Sequence, residues 1–176
     1  MTGQTSELAK RTQALRLAFD ESFAHEARRE ATVMEDLLAL RLGTDAYALR
    51  LSEIAGLFVG RRITPVPGGG AALLGIAGFR GAMVPVYDLA ALLGRQAGLS
   101  PRWLAIAADA PVALAFEAFD GHLRVPSEAI TPREADVSAA RMIAEFVSTQ
   151  DRVRQVVHLP SVVDAIRAQL PATSRG

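Results

Sequence analysis

From Leu37 onward the sequence is written in short apolar runs, each closed by glycine, proline or aspartate, and this punctuation limits the folds open to it. LLALRL and YALRL flank GTDA, which reads as a hairpin turning at Gly43 to Asp45. Alternation in Tyr47 to Leu51 sets Tyr47, Leu49 and Leu51 on one face. SEIAGLF fits either one helical turn or an extended corner, and spacing does not decide between them. ITPVP is extended, because each proline turns its predecessor away from helix, and PGGG is a loop. Gly81 to Tyr87 is a strand whose Pro85 suggests an edge or a bulge. Asp88 then caps a short helix, LAALLG, which Gly94 closes. RWLAIAA, VALAFEAF and GHLRV read as strands, with a turn at Asp120-Gly121, and PSEAITP reads as a loop. Arg141 to Ser148 and Arg152 to Leu159 form a hairpin, and Ser161 caps a last helix that Pro171 ends. Many short strands with frequent turns and few helices predict small β-barrels, not an open parallel sheet.

The N-terminal stretch differs. From about Ser6 to Met34 it has neither proline nor glycine, and Leu8, Leu15, Phe19, Phe23 and Ala27 recur at the spacing of a helix stripe. Ser22 and Arg29 interrupt a heptad, so the pattern predicts an amphipathic helix that docks on something over a long coiled coil. A frayed tail is the plainer alternative.

Composition removes several function classes. In 176 residues, 19 basic and 19 acidic side chains balance, which argues against a general nucleic-acid partner or a polybasic membrane anchor. Cysteine is absent, so thiolate chemistry and zinc ribbons are out. The polar start lacks a signal peptide's apolar core, no apolar run is long enough to span a bilayer, and a cytoplasmic protein is expected. His25, His122 and His158 lie far apart without metal-ligand spacing. No Gly-x-Ser-x-Gly elbow is present, and the adjacent carboxylates Asp20-Glu21 and Glu35-Asp36 point apart on a helix. No catalytic residue, cofactor or metal is expected.

Glycines at Gly75, Gly78 and Gly81 surround a lone charge, Arg80, in GIAGFRGAMVPVYD. A phosphate cradle needs a lysine after the glycines, yet Lys10 is the chain's one lysine. A dinucleotide turn would lead into a helix, whereas Gly81 leads into a strand. Tight turns and close backbone approach at barrel corners explain the glycines better.

These residues also carry a resemblance. LSEI at Leu51–Ile54, ITPVP at Ile63–Pro67, GIAGFRG at Gly75–Gly81 and VPVYDL at Val84–Leu89 resemble, in order and spacing, the motifs of CheW-like chemotaxis coupling proteins. FEAFDGHLRV and VVHLPSVVDAI resemble later family segments more loosely. Gly78 stands where the family often has Asn, Glu117 where it often has Asp, and the N-terminal helix is longer than the usual lead-in. The resemblance implies two five-stranded SH3-like barrels, intertwined over 37–170 and packed about a shared apolar interface. An N-terminal helical extension, 1–36, precedes them and a tail, 171–176, follows. It implies a non-catalytic scaffold that joins the cytoplasmic tips of methyl-accepting chemoreceptors to the regulatory domain of a CheA-type histidine kinase. Recruitment to membrane-associated arrays and self-association through CheW-like barrels go with that role.

The resemblance also maps Glu53 and Arg80 onto two characteristic charged positions. They are expected to pair at the mouth of the first barrel, either only to hold the turn or also to order a receptor groove. Ile54, Leu57, Ile76, Phe79 and Val84 are the candidate groove residues, although core packing is the ordinary fate of such side chains. Phe58 and Val59, beside Arg61 and Arg62, are candidates for touching the kinase domain. Two alternatives remain: a divergent coupler in a non-motility pathway, and an enzyme with a pocket between the barrels. A closed pocket with converging titratable groups would favour the enzyme.

Overall fold

The structure is a computed structural model that describes residues 33–68, 70–96, 101–132 and 142–169. The chain divides into two compact units at Met34, and the second unit, Glu35–Gly176, carries the β-sheets. The expected N-terminal helix, with its candidate cap and stripe, and the expected stop at Pro171 lie outside the described residues.

Eleven described strands form two sheets. One holds β3 (Ile54–Val59), β6 (Trp103–Ala107), β7 (Ala113–Phe116), β5 (Ala82–Asp88) and β4 (Leu73–Phe79), in that spatial order. The other runs β8 (Ala118–Pro126), β1 (Met34–Leu42), β2 (Asp45–Arg50), β11 (Val153–Val157), β10 (Ile143–Ser148) and β9 (Ile130–Pro132). The described strands thus start in the second sheet, build the whole of the first, and return. Two pairings are parallel, β5 with β7 and β2 with β11. Helix α1 (Leu89–Leu92) follows β5, and α2 (Leu159–Gln169) follows β11.

Both sheets curl. Six flat strands would separate β8 from β9 by about 24 Å, while the three-residue turn Ser127–Ala129 that joins them spans about 10 Å. The edges therefore meet, and β8–β9 acts as one bent strand that closes a five-stranded barrel. The first sheet closes likewise, because Thr64 pairs with Ile76 on the free edge of β4. Among the described residues the fold is mainly β with two small barrels and few helices, as the punctuated runs and the resemblance predicted.

Three apolar clusters follow from this closure. Ala77, Phe79, Val84, Val86, Leu104 and Ala113 fill the first barrel. Leu37, Ala48, Val125, Val147 and Val156 fill the second. Between the sheets lies a larger core that includes Leu38, Tyr47, Leu114, Phe116, Val162 and Ile166. Along β1, Leu37 points into the barrel and Leu38 into the inter-sheet core, so both faces are buried and the strand reads as a continuous apolar run. Trp103 packs on Phe119 across the sheets, with ring centroids 5.2 Å apart, and fills the interface.

Several local expectations change. Leu51 does not continue the face of Tyr47 and Leu49; it leaves the strand in a short 3-10 turn, Leu51–Glu53, and is exposed. SEIAGLF is therefore both a turn and a strand. VALAFEAF is broken at Glu117 into β7 and β8, and β8 runs straight through Asp120-Gly121 without a turn. The reason lies in the alternation. Phe119 faces the inter-sheet core, yet Leu123 faces the second barrel, although both are odd positions. Gly121, at φ 146°, resets the phase between them. PSEAITP holds the 3-10 turn and β9, so it is not a plain loop. Helix α2 starts at Leu159, two residues before Ser161.

Candidate partner-binding surface

The run GIAGFRGAMVPVYD folds into the hairpin β4–β5, and each glycine has a separate job. Gly75, at φ 143°, lies so close to the Thr64 carbonyl that a Cβ would stand 2.1 Å from its oxygen. No other residue permits the bridge in which Thr64 and Ile76 exchange both backbone hydrogen bonds, at 2.8 and 2.9 Å. Gly81, at φ 86°, makes the turn. Gly78 leaves an open spot over which the Met83 sulfur lies, 3.9 Å from where a Cβ would be. Close approach and turning explain Gly75 and Gly81, as expected of glycines at barrel corners. Pro85 needs no edge strand. Ile76 spends its own N–H and C=O on Thr64, so Pro85, opposite it, faces no donor or acceptor of β4. The β7 ladder starts one residue later, at Val86.

The outer face of this hairpin is apolar. Ile76, Pro85, Leu73 and Tyr87 floor a groove of about 390 Å³, edged by Val66 on one side and on the other by Gln169 of α2, with the buried Ile166 behind it. Met83, 62% exposed, continues the floor toward the hairpin tip. There Arg80 sits exposed, with a left-handed φ of 47° that side chains rarely adopt. It has no ion-pair partner among the described residues.

The expected Glu53–Arg80 pair is not formed. Glu53 lies at the far end of α2, where its Oε2 accepts a hydrogen bond from the Leu159 amide at 2.9 Å. Its other oxygen stands 4.0 Å from His158 Nε2, and His158 Nδ1 meets Ser161 Oγ at 2.8 Å. A carboxylate suits the positive end of a helix, which is why Glu53 is drawn there and not to the hairpin tip. The same corner holds Arg50, bonded to Glu35 at 2.8 Å and to Glu145. Burial works against the Arg50 charge, but its bonds to Glu145 and Glu35 outweigh this and raise its pKa.

The other candidates divide. Ile76 lines the groove. Ile54 and Leu57 are half-buried against the inter-sheet core. Phe79 and Val84, 4% and 5% exposed, point into the first barrel, so they back the surface and do not present it. Phe58 is half-buried, packs edge-on to Phe79 at 4.9 Å and carries the Arg61 guanidinium over its face at 5.4 Å. Val59, 47% exposed, is a surface residue. The sequence reading missed Val66, Leu73, Met83, Pro85, Tyr87 and Ile166 as groove residues. Alternation in β5 was a usable signal for Met83 and Pro85; nothing local marks Ile166.

A second cleft, about 440 Å³, lies between the sheets and contains Asp45, Asp88, Arg95 and Glu117. Each carboxylate there is committed. Asp88 caps α1, Asp45 pairs with Arg95 at 3.5 Å, and Glu117 accepts the Gly43 amide at 3.2 Å. Arg95 and Asp45 are about half exposed, so the cleft is open to water. Among the described residues no cluster of acidic or histidine side chains could hold a metal ion, and no helix is long and apolar enough to cross a membrane. The built feature is the apolar groove, which suits recognition of another chain.

Two intertwined small barrels around one apolar interface, with such a groove on one hairpin, define a double-barrel interaction domain. The sequence profile of the CheW-like domain family matches residues 36–167, and the chain belongs to that family. Among solved structures, the scaffolding protein TtCheW from Thermoanaerobacter tengcongensis is similar in fold, with a TM-score of 0.65 at 18% identity. The likeness covers 72% of this chain and 90% of that one. No curated protein matches by sequence.

Proposed function

We propose that the chain is a non-catalytic adaptor that couples methyl-accepting chemoreceptors to the regulatory domain of a CheA-type histidine kinase in the cytoplasm. The observation that carries this is the groove between hairpin β4–β5 and α2, apolar along its floor and ended by an arginine without an ion-pair partner among the described residues. An amphipathic receptor-tip helix fits such a surface by laying an apolar stripe into it and offering a carboxylate to Arg80. Family membership and the likeness to a protein described as a scaffold support the same reading. The kinase domain is assigned to the neighbouring corner at Phe58 and Val59, which leaves the groove free for the receptor.

The test is a pulldown of both baits, a receptor-tip fragment and the kinase regulatory domain, by the purified chain. Wild type is expected to bind both. Ile76→Glu places a charge on the groove floor and should weaken receptor binding at least about tenfold while sparing the kinase. Arg80→Ala should weaken receptor binding less. Capture of neither bait by folded wild type overturns the proposal.

A further inference from the structure

We infer that Glu53 is a positioning residue that acts on the groove through α2, without touching what the groove binds; this rests on the groove's role proposed above. Glu53 stands where the chain passes from β2 of the second barrel into β3 of the first. Its backbone oxygen accepts the Ala108 amide at 2.9 Å, which anchors it beside the end of β6. Its side chain, 15% exposed, grips Leu159, the first residue of α2. The helix follows a strand of the second barrel, while the carboxylate that holds its start sits at the entry to the first. Toward the other end of the same helix, Gln169 edges the groove and the buried Ile166 backs it.

A helix of 11 residues is a stiff rod of about 16 Å, so a change in its tilt at Leu159 is carried to Ile166. Val162, Val163 and Ile166 bind α2 to the inter-sheet core, which is slippery apolar contact without direction. The Glu53 hydrogen bond supplies the direction. Through it a carboxylate 106 residues away in sequence from Leu159 bears on a surface it does not reach.

Three variants of the full chain separate this from other roles. Glu53→Gln keeps an acceptor oxygen at the same reach. Glu53→Asp keeps the charge but is one methylene too short to reach Leu159. Glu53→Ala keeps neither. Amide exchange along α2 and methyl chemical shifts of Ile76 and Ile166 are read beside the affinity for the receptor-tip fragment. Glu53→Gln keeps the acceptor but loses the charge's attraction to the helix end, and is expected to fall much closer to wild type than to Glu53→Ala. The other two should speed exchange at the start of α2, shift both methyls, and lose about five-fold in affinity, the worth of a helix cap. Arg80→Ala should lower affinity with no change in α2. Unmoved methyls in both Glu53→Asp and Glu53→Ala overturn the inference. So does a Glu53→Gln variant that loses affinity as Glu53→Ala does while α2 exchange and both methyls stay as in wild type, since the charge itself would then be in contact. If wild type does not bind the fragment, the proposed function fails, and exchange and methyl shifts still decide the linkage.

Discussion

Two glycines with nearly the same backbone angle answer different needs. Gly75 and Gly121 have φ of 143° and 146°, yet a Cβ at Gly75 would strike the Thr64 carbonyl, and one at Gly121 meets nothing within 4 Å. Gly121→Ala should therefore cost only the backbone strain, about 1–3 kcal/mol. Gly75→Ala adds overpacking against backbone that cannot move aside, and should cost at least about 2 kcal/mol more than that. Denaturant midpoints of the two variants measure the difference; equal losses would mean that the Thr64–Ile76 closure tolerates a side chain. Asp120 makes a residue-scale prediction of another kind. It bonds Arg41 at 2.8 Å and Arg154 at 3.1 Å at the mouth of the second barrel. Burial raises its pKa, but the two arginines outweigh this and hold the carboxyl below its usual value. A depressed folded pKa contributes stability above the unfolded value of about 3.9, and that contribution is lost as pH falls through the lower folded value. Acid denaturation should be shallower in Asp120→Asn than in wild type, with the curves differing most above that window.

At the scale of elements, caps decide where helices begin. Asp88 Oδ1 accepts the Ala90 and Ala91 amides at 2.8 and 3.2 Å, and this cap is legible locally because donor and acceptor are two and three residues apart. Asp88→Ala should cost about 1–2 kcal/mol by chemical denaturation with an unchanged slope, and Asp88→Asn much less. The start of α2 is not legible in the same way. Ser161 has the chemistry of a cap and lies at the right distance from an apolar stripe, yet its hydroxyl meets His158. The first amide of the helix is taken by Glu53 from another part of the chain. Strands show the same contrast. The hairpins β1–β2 and β10–β11 were readable from the turns between them, whereas of β4–β5 only the second strand was read. The parallel pairing of β2 with β11, Tyr47 against Gln155, has no turn to announce it.

Charge is segregated over the whole molecule. No carboxylate occurs between Glu53 and Asp88, the stretch that builds most of the first barrel, while Arg61, Arg62 and Arg80 do. With Arg102, these four arginines are exposed and form no ion pair among the described residues. Gly60 bonds to Arg102, which brings Arg102 beside Arg61. A partner that docks on the first barrel should associate more slowly as salt rises from about 0.05 to about 0.5 M, by roughly tenfold, with dissociation little changed. Arg61→Glu with Arg102→Glu should remove the salt dependence, and Arg124→Glu, on the second barrel, should not; stopped-flow association rates read both.

What the sequence determined by itself is whatever depends on neighbours along the chain: short strands, hairpin turns, the Asp88 cap, and the glycines that mark corners. These follow from steric limits on φ and from hydrogen bonds between residues a few positions apart. The motif order was also enough to suggest the family. Tertiary structure alone decided which residues close the barrels, Thr64 on Ile76 and the bend between β8 and β9, that Phe79 and Val84 face inward, and that Glu53 holds α2 instead of Arg80. Each of those outcomes is a competition among partners far apart in sequence, and only the closed barrels bring the winning partner within hydrogen-bonding or contact distance.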